Sequence, residues 1–283
     1  MKRPAAIRLP AQVLMASPDF YEVRDVKNEF MRGHIGTVNR SNALAQWEIL
    51  RRTLESCGVE VAEMPSLPQC EDMVFTANPS FNGRSANRER ICVPARMAFA
   101  SRRPEAGAHR NWFFARGYQI KELPADIERF EGGGDALWHP GRALIWAGAG
   151  PRTERRAHDA LAALFDVPFI SLELADPRFY HLDTCFCALS ERTVMIYPNA
   201  FTAAGLELIR KHFADVIEVD EPEATQMLAC NAAAFHGNLV IIQAGADRTI
   251  RELKRREFNV REVETSEFLK SGGSVFCMKA ALY

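Results

Sequence analysis

A unit of about fifty residues recurs along the chain, and no other feature constrains the fold as tightly. Each unit reads as a short strand, a turn, a second strand, an amphipathic helix and a third strand. The clearest copy starts at Asp135, where DALWH and RALIWAG flank a Pro140-Gly141 turn. RTERRAHDALAALF then carries apolar residues at helical spacing, and VPFISLEL reads as a strand. A copy from Cys185 has CFCAL, TVMIYPNAF, the helix AAGLELIRKHF and the strand DVIEVD. Another from Asn231 has NAAAF, LVIIQAG, RTIRELKRREF and NVREVE. A weaker copy runs from Asn78 through PSFNG and ICVPARM, with a helix near GAHRNWFFARG and a strand YQIKEL.

The opening copy is incomplete. It has the strand AQVLMAS, the helix NALAQWEILRRTLESCG and the strand VEVAEMP, while its missing hairpin strand stands at the other end as SVFCMKAAL. Five units, the last strand completing the first, describe a closed ring that hides its sheet edges. The expected fold is α/β: a five-bladed α/β propeller of pseudo-fivefold repeats over residues 1–283, closed by the C-terminal strand. A doubly wound sheet would alternate single strands with helices, so the hairpins between the helices argue against it.

The reactive residues fall at one phase of this repeat, at or just before the first hairpin strand. They are Asn78 in EDMVFTANPSF, Glu131 and Asp135 in FEGGGDAL, His181 and Asp183 in YHLDTCF, Asn231 in ACNAAAF, and Cys277 after SGGSVF. From Asn78 to Glu131, His181, Asn231 and Cys277 the successive spacings are 53, 50, 50 and 46 residues. In a ring, equivalent positions converge on the axis, which gathers a thiol, an imidazole, carboxylates and amides in one place. Taken singly, each has a structural explanation: a packed cysteine, a core histidine, a plain turn at Gly132-Gly133-Gly134, a bend at Gly272-Gly273. Independent structural residues have no reason to share a phase. The chemistry that fits is nucleophilic catalysis by Cys277 as thiolate, with His181 moving protons and carboxylates gripping a guanidinium.

Composition excludes several classes. The chain of 283 residues is 47% hydrophobic and 25% charged, with a net charge of -1, so neither a nucleic-acid nor a membrane partner is expected. The cluster Lys254-Arg255-Arg256 reads as a solvated helix face. No segment reaches the ~20 apolar residues of a membrane span. Arg8 and Pro10 interrupt the stretch after Lys2 and Arg3, so no signal peptide is expected. Seven scattered cysteines point to a reducing, cytoplasmic setting rather than a disulfide framework. Cys185 and Cys187 follow His181, but no CxxC or second pair at zinc spacing accompanies them, so they read as core and no metal or cofactor is expected.

In this order and at these spacings, EDMVFTAN, EGGGD, GPRT, HLDT and GGSVFC resemble the pentein superfamily of guanidine-modifying enzymes, over essentially the whole chain. The resemblance implies an α/β propeller and a small arginine-like substrate. It implies Cys277 as the nucleophile of a covalent amidino-thioether, His181 as general acid/base and Glu131 as the carboxylate beside both histidine and guanidinium. Asp183 matches a second guanidinium-binding carboxylate, and Arg152 matches the arginine that holds the substrate α-carboxylate. Arg102 matches a further carboxylate contact, a place for which Arg96 and Arg103 compete; Phe75 and Asn28 complete the substrate-side set.

One departure is informative. Deiminases and dimethylarginine hydrolases usually carry aspartate where this chain has Asn78, and often an acid at Ala77. TAN there, Asn28 in DVKNEFM and three glycines in EGGGD resemble the arginine dihydrolase branch, which takes arginine to ornithine, carbon dioxide and ammonia. With one carboxylate fewer, a neutral ureido group is held less unfavourably. The alternatives are a dimethylarginine dimethylaminohydrolase or arginine deiminase, an amidinotransferase, and a non-catalytic binder of arginine-like ligands. Substrate identity and oligomeric state, a homo-oligomer included, stay open.

Overall fold

The computed structural model describes residues 9–283, so Lys2, Arg3 and Arg8 lie outside the described residues. The first unit supplies β1 (Gln12–Ala16), α1 (Arg40–Ser56) and β2 (Glu60–Met64). The second has β3 (Ser80–Arg84), β4 (Arg90–Pro94), α2 (Arg103–Phe114) and β5 (Gln119–Ile120). The third has the short turn α3 (Gly132–Asp135), β6 (Ala136–Trp138), β7 (Ile145–Ala149), α4 (Arg155–Phe165) and β8 (Phe169–Glu173). The fourth has β9 (Phe186–Ala188), β10 (Thr193–Ile196), α5 (Ala203–His212), β11 (Asp215–Glu218) and α6 (Glu221–Gln226). The fifth has β12 (Ala233–Phe235), β13 (Leu239–Gln243), α7 (Asp247–Arg255) and β14 (Asn259–Val263), followed by α8 (Ser266–Leu269) and β15 (Ala280–Leu282).

These strands form five three-stranded sheets. In each, the middle strand pairs antiparallel with its hairpin partner and parallel with the strand after the helix. The first sheet, β15-β1-β2, joins both ends of the sequence, with Val13 opposite Ala281 and Val61. Middle strands such as LVIIQ (β13) and IWAGA (β7) are apolar runs because both their faces are covered. Outer strands such as β14 and β2 are largely exposed on one side. The helices bury one stripe each; α4 turns Ala157, Leu161 and Phe165 inward.

Contacts between successive inner strands run round the ring. Asn82 Nδ2 donates to Ala281 O, and Trp138 Nε1 to Asn82 O. The Leu182 amide donates to Asp135 Oδ1, Asn231 Nδ2 to Asp183 O, and the Phe276 amide to Asn231 O. Unit one thus touches two, two touches three, and so on until five touches one.

Two elements differ from the sequence expectation. The helix of the second unit begins at Arg103, ahead of GAHRN, because Pro104 stands in the first turn where its missing N–H costs nothing. The closing strand is shorter than SVFCMKAAL: only Ala280–Leu282 pairs with β1. Cys277 therefore projects from a turn rather than a strand end, with the Met278 amide donating to Ser274 O at 3.1 Å. The amides of Ser274 and Cys277 instead donate to Asn231 Oδ1, at 2.8 and 3.2 Å, which holds this segment away from β1. Lys254 and Arg255 are exposed and pair with Glu262 and Glu252, as a solvated face.

If the first sheet depends on both chain ends, deleting Ala280–Tyr283 should cost about 2–5 kcal/mol, the range of a core truncation. Urea unfolding measures this, and an unchanged midpoint would show that ring closure contributes nothing.

Candidate active site

The ring sets Asn78, Glu131, His181, Asn231 and Cys277 just ahead of β3, β6, β9, β12 and β15, and each is buried. The three glycines of EGGGD have steric reasons beyond a plain turn. A Cβ at Gly132, where φ is +53°, would meet Asn78 O at 2.3 Å. At Gly133 it would meet Ala77 O at 2.9 Å, and at Gly134 it would meet Asn78 Nδ2 at 2.6 Å and the His181 ring at 3.1 Å. Only glycine lets the Glu131 turn lie against the Asn78 loop. Gly272 and Gly273 make room in the same way for Phe30 and Phe75.

Glu131 is the hub. Its Oε2 lies 2.7 Å from His181 Nε2 and accepts from Arg152 Nη1 at 2.8 Å, while Oε1 accepts the Ala98 amide at 2.9 Å. Burial opposes its charge, but the bond from His181 and the Arg152 guanidinium hold its pKa well below the usual carboxylate range. As Glu131 only accepts, it assigns the proton of neutral His181 to Nε2 and leaves Nδ1 with a lone pair. Nδ1 faces Asn78 Nδ2 at 3.4 Å. Arg102 carries only donors, so its Nη1 contact of 3.2 Å fixes the Asn78 carbonyl oxygen and turns the amide N–H groups toward His181. Asp135, raised to about 6 by burial, is held by Thr153 Oγ1 at 2.6 Å and the Leu182 amide at 3.0 Å, 4.0 Å from His181 Nε2.

The thiol sits opposite. Cys277 Sγ donates to Asp183 Oδ2 at 3.1 Å and accepts from Asn231 Nδ2 at 3.2 Å. Burial and the neighbouring carboxylate push the thiol well above its usual pKa. Burial likewise raises Asp183 to about 7. Among the described residues no hydrogen bond joins Cys277 to His181, and Asp183 Oδ1 has no partner at all. A buried orphan carboxylate oxygen is costly and marks a place for a donor.

A pocket of about 250 Å³, open solvent included, is lined by Asn78, Asp72, Phe75, Arg102, Arg152 and Tyr180. Of the competing arginines only Arg102 lines it. Arg96 donates to the carbonyls of Leu123 and Pro124, and Arg103 is exposed. Arg102 is bound in a fork to Glu105 at 3.0 and 2.8 Å. Arg152 gives one N–H to Glu131 and one to Lys27 O, which leaves donors for a ligand. Its guanidinium also stacks 4.6 Å from the Phe99 ring and 4.9 Å from that of Tyr180. Asn28 lines the mouth but spends both ends of its amide internally, accepting from the Met31 amide and donating to Ser271 O. Phe75 walls the mouth against Tyr21 and Phe268.

Asp72, beside Glu71 in EDMVF, escaped the sequence reading. Lys27 Nζ forms an ion pair with its Oδ2 at 3.2 Å, and neither carboxylate oxygen accepts a hydrogen bond. No spacing argument finds Asp72; an acid in an apolar run was the only signal. Cys185 and Cys187 are buried, with Sγ contacts to the Leu182 and Ala232 carbonyls, and no group of three or more metal-ligating side chains occurs among the described residues. No helix among those residues is long and apolar enough to cross a membrane.

The family model for N,N dimethylarginine dimethylhydrolase, eukaryotic, matches residues 19–283. The chain is 37% identical over 270 residues to the bifunctional arginine dihydrolase/ornithine cyclodeaminase ArgZ of Synechocystis sp., covering 94% of this chain and 37% of that protein. It thus spans little more than a third of that bifunctional relative. It is 36% identical to the N(G),N(G)-dimethylarginine dimethylaminohydrolase of Mycobacterium tuberculosis, covering 93% of this chain and 83% of the relative. Among solved structures, the substrate-bound N-terminal domain of cyanobacterial ArgZ superposes with a TM-score of 0.89 at 34% identity, covering 95% of this chain and 97% of that domain.

A protonated thiol beside a carboxylate should react slowly with neutral iodoacetamide at pH 7 and faster as pH rises. A cationic haloacetamidine should modify Cys277 much faster, because its charge satisfies Asp183. Mass mapping of the modified cysteine checks this, and equal rates for the two reagents would refute the pairing.

Proposed function

The chain belongs to the dimethylarginine dimethylaminohydrolase family, and from that premise we propose that it hydrolyses the guanidine group of arginine, twice, to ornithine. The observation that carries this reading is a pair of buried carboxylates with unfilled hydrogen bonds: Asp183 beside the thiol and Asp72, ion-paired to Lys27, on the pocket wall. A ligand with a cationic group at each end satisfies both. Asp72 takes the α-ammonium, Arg152 takes the α-carboxylate, and Asp183 with Glu131 takes the guanidinium through charge-assisted hydrogen bonds.

The guanidinium supplies the charge that the free site lacks. Held between Glu131 and Asp183, it stabilises the thiolate that burial and Asp183 disfavour. His181 Nδ1 takes up the proton that Cys277 Sγ gives up, Sγ attacks the guanidine carbon, and the same proton passes from Nδ1 to the departing nitrogen, so that ammonia leaves. Water, deprotonated by His181, adds to the amidino-thioether, and expulsion of the thiolate gives a ureido product. A second round releases another ammonia and leaves a thiocarbamate. Its hydrolysis gives a carbamate that breaks down to ornithine and carbon dioxide. Two waters enter; two ammonia molecules, one carbon dioxide and one ornithine leave.

Asn78 favours the second round. Its oxygen is engaged by Arg102, so it offers N–H donors, which suit a ureido carbonyl; an aspartate there offers only acceptors. The coverage of 83% of the mycobacterial dimethylarginine dimethylaminohydrolase favours a second reading, in which a methylated arginine is hydrolysed once.

Product analysis tests the proposal. Wild type should convert arginine to ornithine and ammonia, Asn78→Asp should shift the product toward citrulline, and Cys277→Ser should lose turnover by far more than tenfold, about 1.4 kcal/mol of barrier. Citrulline as the wild-type end product, or rejection of arginine, leaves the single-hydrolysis reading. Arg152→Lys should raise KM more than it lowers kcat, because an ammonium cannot reproduce the planar fork. The pH profile of kcat/KM should fall on the acid side near pH 7, where free Asp183 takes up its proton and loses its grip on the guanidinium. A flat profile from pH 5 to 8 would remove Asp183 from binding.

A further inference from the structure

The active-site residues stand ahead of the inner strands β3, β6, β9, β12 and β15. A second cavity is lined by the bodies of those same strands, through Asn82, Trp138, Cys187, Ala234 and Ala281. Its lining runs from Ala77 and Gly133, next to the Asn78 and Glu131 loops, and Phe276, next to Cys277, to Trp138 and Tyr283. It shares no lining residue with the substrate pocket, whose walls are Asp72, Arg152 and their neighbours.

One charged side chain faces this cavity. Lys279 is only 3% exposed, yet no acid pairs with it and no hydrogen bond engages its ammonium among the described residues. Its ammonium lies over the face of Phe276, 3.5 Å from Nζ to the ring centroid. Burial lowers its pKa to about 8, while Cys187, Asp183 and Cys277 act in the opposite direction, so it stays mostly protonated at neutral pH. A buried cation without a counter-ion is expensive and rare. A second orphan lines the same space: Asn82 Oδ1 is buried without a hydrogen-bond partner, although its Nδ2 donates to Ala281 O. The walls are aromatic, with Trp138 and Tyr283 meeting edge to face at 6.3 Å. A cation, an unsatisfied acceptor and flat apolar walls are complementary to one kind of ligand.

We propose that this cavity is a second binding site, for a small aromatic carboxylate, with Lys279 Nζ pairing the carboxylate and the ring lying among Trp138, Phe276 and Tyr283. A hydroxyl on the ring satisfies Asn82 Oδ1. The site is built from residues the hydrolytic reaction does not touch, and it stands whether or not the proposed activity does.

The probe is 4-hydroxybenzoate, titrated calorimetrically into the full-length protein while Trp138 reports by intrinsic fluorescence. Wild type should bind one equivalent, and Lys279→Met should weaken binding by about tenfold or more. Lys279→Arg, which keeps the charge, should bind nearly as well and guards against a folding defect in the methionine variant. The uncharged 4-hydroxybenzamide should not bind, and saturating arginine, added to Cys277→Ser protein to avoid turnover, should not displace the benzoate. The proposal is overturned by no binding at millimolar probe, by equal binding to Lys279→Met, or by displacement with arginine. Binding of chloride or phosphate with no response to the benzoate would make it an inorganic-anion site instead. Binding that appears only when residues 1–8 are removed would make the chain itself the occupant.

Discussion

The carboxylate of Glu131 holds the centre of this molecule together. It accepts from His181, Arg152 and the Ala98 amide at once, so one side chain joins three separate stretches of the chain at the ring axis. The price is a charge with no access to solvent, and truncating a partner of such a buried pair typically costs about 3–5 kcal/mol. That arrangement is possible only because three glycines let the Glu131 turn press against the Asn78 loop. From it follow the tautomer of His181, the direction of its free Nδ1 and the position of the guanidinium of Arg152.

On the other side of the axis the balance of charge is reversed. Asp183 and Cys277 share a hydrogen bond in which both are driven toward their neutral forms by burial. The site without ligand is therefore under-supplied with positive charge near the thiol and has an orphan oxygen on Asp183. A cationic group entering from the pocket corrects both defects together. In the proposed first step selectivity and activation come from the same interaction; the neutral ureido group of the second step lacks that charge and relies on the N–H donors of Asn78 instead.

Much of this was legible in the sequence because repetition makes position meaningful. The fifty-residue period located the hairpins, the helices and the incomplete first unit, and it put Cys277, His181, Glu131 and Asn78 at one phase. What the pattern could not convey was local hydrogen bonding. SVFCMKAAL has the composition of a strand, but Asn231 captures the amides of Ser274 and Cys277 and bends that segment into a turn. Asp72 has no counterpart in the repeat, so only its place on the pocket wall, with both oxygens free of hydrogen bonds, singles it out in the folded chain. The choice among Arg96, Arg102 and Arg103 needed coordinates too, because neighbouring arginines differ only in which way they point. Lys279 reads as one more residue of the closing strand; that no acid among the described residues forms an ion pair with it, although Asp183 is near enough to act on its charge, is a property of the fold.

The central claim is that Cys277 becomes nucleophilic when a guanidinium fills the site and then carries the substrate carbon. Rapid acid quench of the protein with arginine, followed by intact-mass and peptide analysis, tests it most directly. The account predicts a transient adduct on the peptide containing Cys277, with the mass of arginine less ammonia, absent from Cys277→Ser protein. Turnover of arginine with no adduct at any quench time, or an adduct on another cysteine, would contradict it.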